Sequence, residues 1–333
     1  MTTTFRRLGA LAATAALALG LASCQSAPAA PAAQPTEQAA AEPEAQFPRT
    51  ITVPGAPGGE ATELTIEARP ERVATLSYES TEVTAALGAA DRLVLIPEAT
   101  RNPALGGHTE ELAEVPASFE SESSLNTEAV IAATPDLVLM NSRHGLDESV
   151  GAALERAGIP VLVLPNSWST VDELRTDVGL IGQALGEDDA AAELDGALED
   201  GLAPVAGAGA ADAPSVLVLS NQAGRPFVTA GTAFPLEILR LAGGQDASAA
   251  LGLDRTGPIS AEQVIEANPD AILLVDMNGS GERLFASIMD NPAVAALPGA
   301  AEPLLVTGAQ VQALGLTHTI AGLGAISDWL AAR

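Results

Sequence analysis

The sequence predicts an α/β protein of two similar lobes, each around a mainly parallel, doubly wound sheet, with a long connecting helix between them. Three observations carry that prediction. A segment of the first half recurs without gaps in the second half. Short continuous apolar runs alternate with helix-period segments along both halves. Between the halves, residues 170–203 keep a helical period.

The chain begins with segments that lie outside this fold. Arg6 and Arg7 form a short basic region, residues 8–21 are apolar and rich in Ala and Leu, and Leu21, Ala22 and Ser23 stand immediately before Cys24. That order reads as a signal peptide over residues 1–23, too short for a good spanning helix. Cys24 is the only cysteine, so no intrachain disulfide can form. A spare buried thiol is the plain alternative for Cys24. The leader and the small residues before it converge instead on a bacterial lipobox, with Cys24 as the mature N-terminus and the site of lipidation. Attachment to the membrane would then be through the lipid anchor alone. Residues 24–48 are nearly all Ala, Pro, Gln, Glu, Ser and Thr. Such a segment buries too little apolar surface to fold and reads as a tether reaching about 3 Å per residue.

The formal charge of −28 becomes −30 once Arg6 and Arg7 are removed with the leader, and no lysine occurs anywhere. A chain this acidic is repelled by phosphate backbones, which excludes nucleic acid as a partner. The hydrophobic fraction of 47% is that of a globular protein. After Cys24 no apolar run is long enough to cross a bilayer. Every basic side chain is an arginine, a fixed cation with bidentate geometry.

The folded part divides into an N-terminal lobe (49–168), the connector (169–205) and a C-terminal lobe (206–333). In the first lobe, residues 72–76 and 93–96 read as strands around a helix over 80–87 that Gly88 ends. Residues 161–164 form a further strand after a helix ending at Gly158. The duplication lies between them: residues 126–140 align on 260–274. Glu128, Val130, Ile131, Ala133, Pro135, Asp136 and Leu139 recur as Glu262, Val264, Ile265, Ala267, Pro269, Asp270 and Leu273. Each copy reads as N-cap, short helix, Pro-Asp turn and buried strand. Asn126 and Ser260 are good caps, Ser260 with Gln263 makes a capping box, and the prolines stop the helices. The runs after the turns, residues 137–140 and 271–275, suit strands buried on both faces. The connector opens with a second capping box, Thr170 with Glu173, and Gly182 or the segment from Gly186 can interrupt it. In the second lobe a strand over 215–219 precedes a helix over 235–241 that Gly243 and Gly244 end. Strands alternating with helices give parallel sheets.

With these pieces assembled, the chain resembles the iron-complex and cobalamin class of periplasmic binding proteins, class III. The likeness is carried by Glu71-Arg72-Val73-Ala74-Thr75-Leu76-Ser77, by Thr81-Glu82 ahead of Leu87-Gly88, and by Asp91-Arg92-Leu93-Val94. It continues in Ala157-Gly158-Ile159-Pro160-Val161, Leu241-Ala242-Gly243-Gly244 and both copies of the repeat. It covers residues 69–333. The resemblance implies two Rossmann-like lobes joined by a rigid helix, a ligand held between them, and delivery to the permease of an ABC importer by a monomer. It also implies that one glutamate per lobe docks onto arginines of the membrane subunit, and the matching positions are Glu128 and Glu262. Favourable placement of an acid in the first turn of a helix, about 0.3–1 kcal/mol, is the plain alternative for each.

Ligands of doubly wound sheets sit beyond the carboxyl ends of the strands. The residues expected there are Tyr78, Arg101, His108, Arg143, His144, Trp168, Arg225, Arg255 and His318. Each alone is explained as a solvated cation or a packed ring. Together they bring scarce aromatic groups and four arginines to one mouth, which suits an anionic, partly aromatic ligand such as a ferric siderophore. Three other readings stay open. Haem would use Tyr78, His108 or His144 as axial ligand, and Leu241–Gly244 followed by Pro258-Ile259-Ser260 resembles haem-binding members. Cobalamin lacks an evident aromatic sandwich. Zinc or manganese would draw on the three histidines, although no tight metal spacing occurs. Catalysis finds neither a Gly-rich turn after a strand nor a G-x-S-x-G elbow, so the chain reads as a binding protein without an intrinsic cofactor.

Overall fold

The computed structural model describes residues 46–55, 59–120, 125–141, 150–165, 167–222 and 224–333. Cys24, the leader, most of the tether, Arg143 and His144 lie outside the described residues. The first lobe opens with an antiparallel hairpin, β1 (Arg49–Val53) and β2 (Thr62–Ile66), that the sequence reading had not isolated. Then follow β3 (Val73–Thr75), α1 (Tyr78–Ala86), β4 (Leu93–Pro97), α2 (Thr109–Ala113), β5 (Ser118–Phe119), α3 (Thr127–Ala132), β6 (Leu137–Asn141), α4 (Ala152–Arg156) and β7 (Val161–Leu164). The five strands after the hairpin pair in the order β5-β4-β3-β6-β7, all parallel.

The connector is helical and folds back on itself. Thr170 caps α5 (Val171–Leu185), while the Glu173 carboxylate takes the Ser169 N–H at 2.7 Å, so the expected box is shifted by one residue. Gly186, at φ +73°, ends this helix in a left-handed conformation that favours glycine. The chain returns as α6 (Asp188–Gly201), held by Arg175 to Asp195 and to Glu199, each at 2.7 Å. Gly182 does not interrupt α5; a Cβ there would lie 2.3 Å from Ala191 Cβ, so glycine lets the two helices touch.

The second lobe consists of β8 (Ser215–Gln222), β9 (Arg225–Gly231), α7 (Phe234–Leu241), β10 (Gln245–Asp246), β11 (Arg255–Pro258), α8 (Ala261–Ala267), β12 (Ala271–Asp276), α9 (Ala286–Met289), α10 (Pro292–Ala295), β13 (Leu304–Thr307) and α11 (His318–Ala331). Its order is β11-β9-β8-β12-β13, with β10 beside the start of β8. The β8, β10, β12 and β13 pairings are parallel, and only β9 and β11 run antiparallel.

Burial on both faces explains the unbroken apolar strands. Leu137 and Leu139 of β6 belong to one apolar cluster and Val138 and Met140 to another, because alternate side chains leave opposite faces. Leu273 and Leu274 of β12 divide in the same way. The larger cluster runs through both lobes and the connector, whereas the outer face of each sheet has its own smaller core.

The repeat folds alike twice. The Asn126 side chain accepts from the Glu128 N–H, and the Ser260–Gln263 capping box is complete. The repeated aspartate has a role that spacing alone did not reveal. Asp136 accepts the backbone N–H groups of Glu71 and Arg72, each at 2.9 Å, just before β3. Asp270 accepts the N–H and hydroxyl of Ser215, at 2.9 and 2.8 Å, at the start of β8. Each turn thus fastens the first parallel strand of its own lobe.

Candidate functional site

Ser77 sets the position of the first candidate. Its hydroxyl accepts from the Ser80 N–H and starts α1 at Tyr78, so Tyr78 is the first residue of a helix at the carboxyl end of β3 and is half-buried. The helix it opens is buried from Glu79 to Ala85 and has no solvent face. It packs on β3 and β4 of its own lobe and on the 313–315 turn of the other.

Glu82, inside this helix, is the pivot of the site. Its side chain is wholly buried. One carboxylate oxygen accepts from His108 Nδ1 at 2.9 Å and from the Gly107 N–H at 3.2 Å. The other has no hydrogen-bond partner among the described residues. A Cβ on Gly106 would lie 1.8 Å from that oxygen, so the chain passes over the carboxylate only as glycine. The bond to Glu82 raises the His108 pKa above its ordinary 6.5, against the opposing effect of burial.

The segment that Glu82 holds, residues 98–108, crosses to the other lobe. The Ala309 N–H donates to Ala104 O at 2.9 Å, and Asn102 Nδ2 donates to Met277 O at 3.4 Å. Met277 follows β12 and Gly308 follows β13, so this bridge brings the carboxyl ends of the two sheets face to face. His318, first residue of α11, lies against Gly107: a Cβ there would be 2.3 Å from its Cε1. Thr317, the residue before that helix, makes no side-chain capping bond.

Of the residues expected at the mouth, His108 and His318 therefore meet at one glycine pair, with Tyr78 at the start of the helix beneath. Arg101 stands at the base of the bridge. Its guanidinium donates to the Leu112 and Val115 carbonyls, at 3.2 and 2.8 Å, and pairs with Glu98 at 3.1 Å. Arg225 begins β9 at the carboxyl edge of β8, with its guanidinium 5.2 Å from the Phe227 ring centroid. Arg255 stands apart: it pairs with Gly231 at the far end of β9, because β9 runs antiparallel to β8 and carries the chain to the opposite edge, where β11 begins. Trp168 is 2% exposed and packs in the large apolar cluster, at φ +56°, just before the connector. Arg143 and His144 follow β6 but lie outside the described residues.

In the sequence Glu82 is marked only by the resemblance, and Gly106, Gly107 and Asn102 are not marked at all. The available signal was a glutamate on a helix with no polar face, followed by a glycine pair and a histidine. Among the described residues no group of three His, Cys, Asp or Glu side chains is arranged to hold a metal ion. Among the described residues no helix is long and apolar enough to cross a membrane.

Known proteins with this architecture share its two-lobed plan. The periplasmic heme-binding protein RhuT from Roseiflexus sp. RS-1, in apo form, superposes with a TM-score of 0.63 at 22% identity, covering 79% of this chain and 97% of that one. An ABC-type Fe3+-hydroxamate transport system protein from Saccharomonospora viridis DSM 43017 gives a TM-score of 0.61 at 24% identity, over 85% and 98%. In sequence, the uncharacterized ABC transporter substrate-binding lipoprotein YvrC of Bacillus subtilis (strain 168) is 27% identical over 222 residues, which is 64% of this chain and 66% of the relative's length. The periplasmic binding protein family matches residues 73–307, from the first strand of the N-terminal sheet to the last of the C-terminal one. The chain belongs to the periplasmic binding protein family.

Proposed function

We propose that this chain is an extracytoplasmic solute-binding lipoprotein, anchored through Cys24, that carries an iron complex to the permease of an ABC importer. The observation that carries this reading is the placement of the two carboxyl edges across the 98–108 bridge, where ligands of such sheets bind. Within that site Tyr78, His108, His318 and Arg225 are the residues we assign to the ligand; Arg143 and His144, outside the described residues, are proposed with them from the sequence alone. Arg101 and Trp168 are assigned to the frame around it, and Arg255, at the opposite edge of the sheet, is left out of the site. A ferric siderophore suits this set best, since anionic chelates pair with arginine and stack on aromatic rings. The S. viridis neighbour is from an ABC-type Fe3+-hydroxamate transport system. For docking, Glu128 and Glu262 are proposed to meet arginines of the membrane subunits. The Glu262 pKa is lowered by its own N–H and the Ser260 hydroxyl.

A second reading, haem, draws on His108. Its Nδ1 is engaged by Glu82, leaving Nε2 for an iron, and a carboxylate behind a ligating histidine is a common supporting arrangement. Titration separates the two. The chain without its leader and with Cys24→Ser is mixed with a ferric hydroxamate, haemin, cobalamin or zinc and followed by calorimetry and absorption. Saturable binding of the ferric hydroxamate alone is expected. A Soret band that vanishes in His108→Ala would replace the siderophore by haem, and failure of every iron complex to bind would overturn the reading.

A further inference from the structure

Three large aliphatic side chains are exposed among the described residues: Ile131 at 39%, Ile265 at 37% and Leu305 at 37%. Two of the three are the same position of the two repeats. Ile131 lies three residues after Glu128 on α3, and Ile265 lies three residues after Glu262 on α8. Side chains three apart on a helix are neighbours, about 5–6 Å between Cβ atoms, so each helix shows one glutamate and one isoleucine side by side. The helices also stand alike. Each leads through a short Pro-Asp turn into a parallel strand and so runs opposite to it. That puts both glutamates at the level of the carboxyl ends of the strands, the edge on which the mouth opens.

A single exposed isoleucine needs no explanation. A duplicated one calls for comparison with its neighbours. Val130 and Val264 are fully buried, and packing accounts for their identity. Packing does not act on exposed positions, and where no hydrogen bond holds them, as Asp136 and Asp270 are held, the copies have diverged: Ala132 against Glu266, and Thr134 against Asn268. The Glu and Ile positions are exposed in both copies and are the same in both.

Resting on the docking proposed above, we infer that Ile131 and Ile265 are the apolar half of that contact. Each repeat helix presents an acid-and-aliphatic pair to the membrane subunits of the importer. The partner's matching surface is a shallow apolar socket bordered by a guanidinium, occurring twice. Two equivalent patches on a duplicated chain fit a partner made of two equivalent subunits. The charges set approach and orientation in a strongly acidic chain, and the isoleucines supply contact that salt does not screen.

The test measures binding of the chain lacking its leader, with Cys24→Ser, to its importer's membrane subunits and ATPases in lipid nanodiscs. It compares wild type, Ile131→Ser/Ile265→Ser and Glu128→Gln/Glu262→Gln at low and at high salt. Thermal melting and binding of the transported iron complex by the free protein report the fold. The isoleucine pair is expected to weaken docking about tenfold at both salt concentrations, the scale of losing two half-exposed aliphatic contacts. The glutamate pair is expected to weaken it chiefly at low salt. Wild-type affinity in the isoleucine variant, with weakened binding in the glutamate variant, would overturn the inference and leave the docking reading standing. Wild-type affinity in both variants would overturn both.

Discussion

Glu82 faces no water, yet two donors of the bridging segment converge on one of its oxygens and make His108 its counter-charge. Because the folded protein holds the His108 proton more tightly than the unfolded chain does, the pair stabilises the fold fully below the ordinary histidine value of 6.5. That contribution fades as pH rises through the higher folded value. Urea unfolding of His108→Asn across this range is expected to show a deficit of about 1–2 kcal/mol at acid pH that shrinks toward alkaline pH. A deficit independent of pH would mean that packing, not charge, supplies what His108 contributes. At this scale the sequence was informative about identity more than placement. The scarcity of histidine and tyrosine drew attention to His108, His318 and Tyr78, which the fold brings to one seam. Trp168 and Arg255 were placed by counting from strand ends. That count does not register a buried left-handed residue, nor an antiparallel strand, β9, that takes the chain to the far edge before β11 begins.

The elements were more legible, and for a physical reason. Strands buried on both faces must be apolar throughout, so β6, β7 and β12 stand out from their surroundings. The β1–β2 hairpin did not stand out, because half-exposed strands carry Thr, Glu and Arg and resemble loops, and β9, though largely buried, opens on Arg225-Pro226 and ends on Gly231, which read as turn residues. The connector was read as helical with two possible breaks. Only the structure separates Gly186, which needs its left-handed φ, from Gly182, which needs only its lack of a side chain. At the break, Glu187 accepts from Arg69 at 2.5 Å and from Arg92, whose side chain is 5% exposed and also donates to the Pro70 and Leu185 carbonyls. Burial lowers the Arg92 pKa, and Glu187 opposes that shift. Glu187→Gln would leave a buried cation facing a neutral amide. It is expected to cost about 1–3 kcal/mol in denaturant unfolding, with little change in Arg49→Gln, whose guanidinium reaches Asp188 nearer solvent.

For the whole molecule, duplication was the strongest signal, since two copies of one helix–strand unit already imply two lobes. What it could not convey is how the lobes meet, because that depends on a segment outside the repeat. Gly308 lies 3.0 Å, by the position of an added Cβ, from both Ala104 O and Leu105 Cδ2. A valine there would press the bridge away from the second lobe. Gly308→Val is expected to speed hydrogen exchange at the Ala309 amide, while amides in β6 and β12 exchange as in the wild type. Equal acceleration at all three sites would mean that the lobes open only by global unfolding.

The bridge also bears on selectivity. A molecule that needs the space between the sheets must first separate Ala104 from Ala309 and Asn102 from Met277, and that work is subtracted from whatever affinity it then gains. Small solutes that touch only one lobe recover none of it. A larger solute that contacts both lobes can regain it through those contacts, so the bridge would act as a threshold that ranks visitors by span before any side chain examines their chemistry.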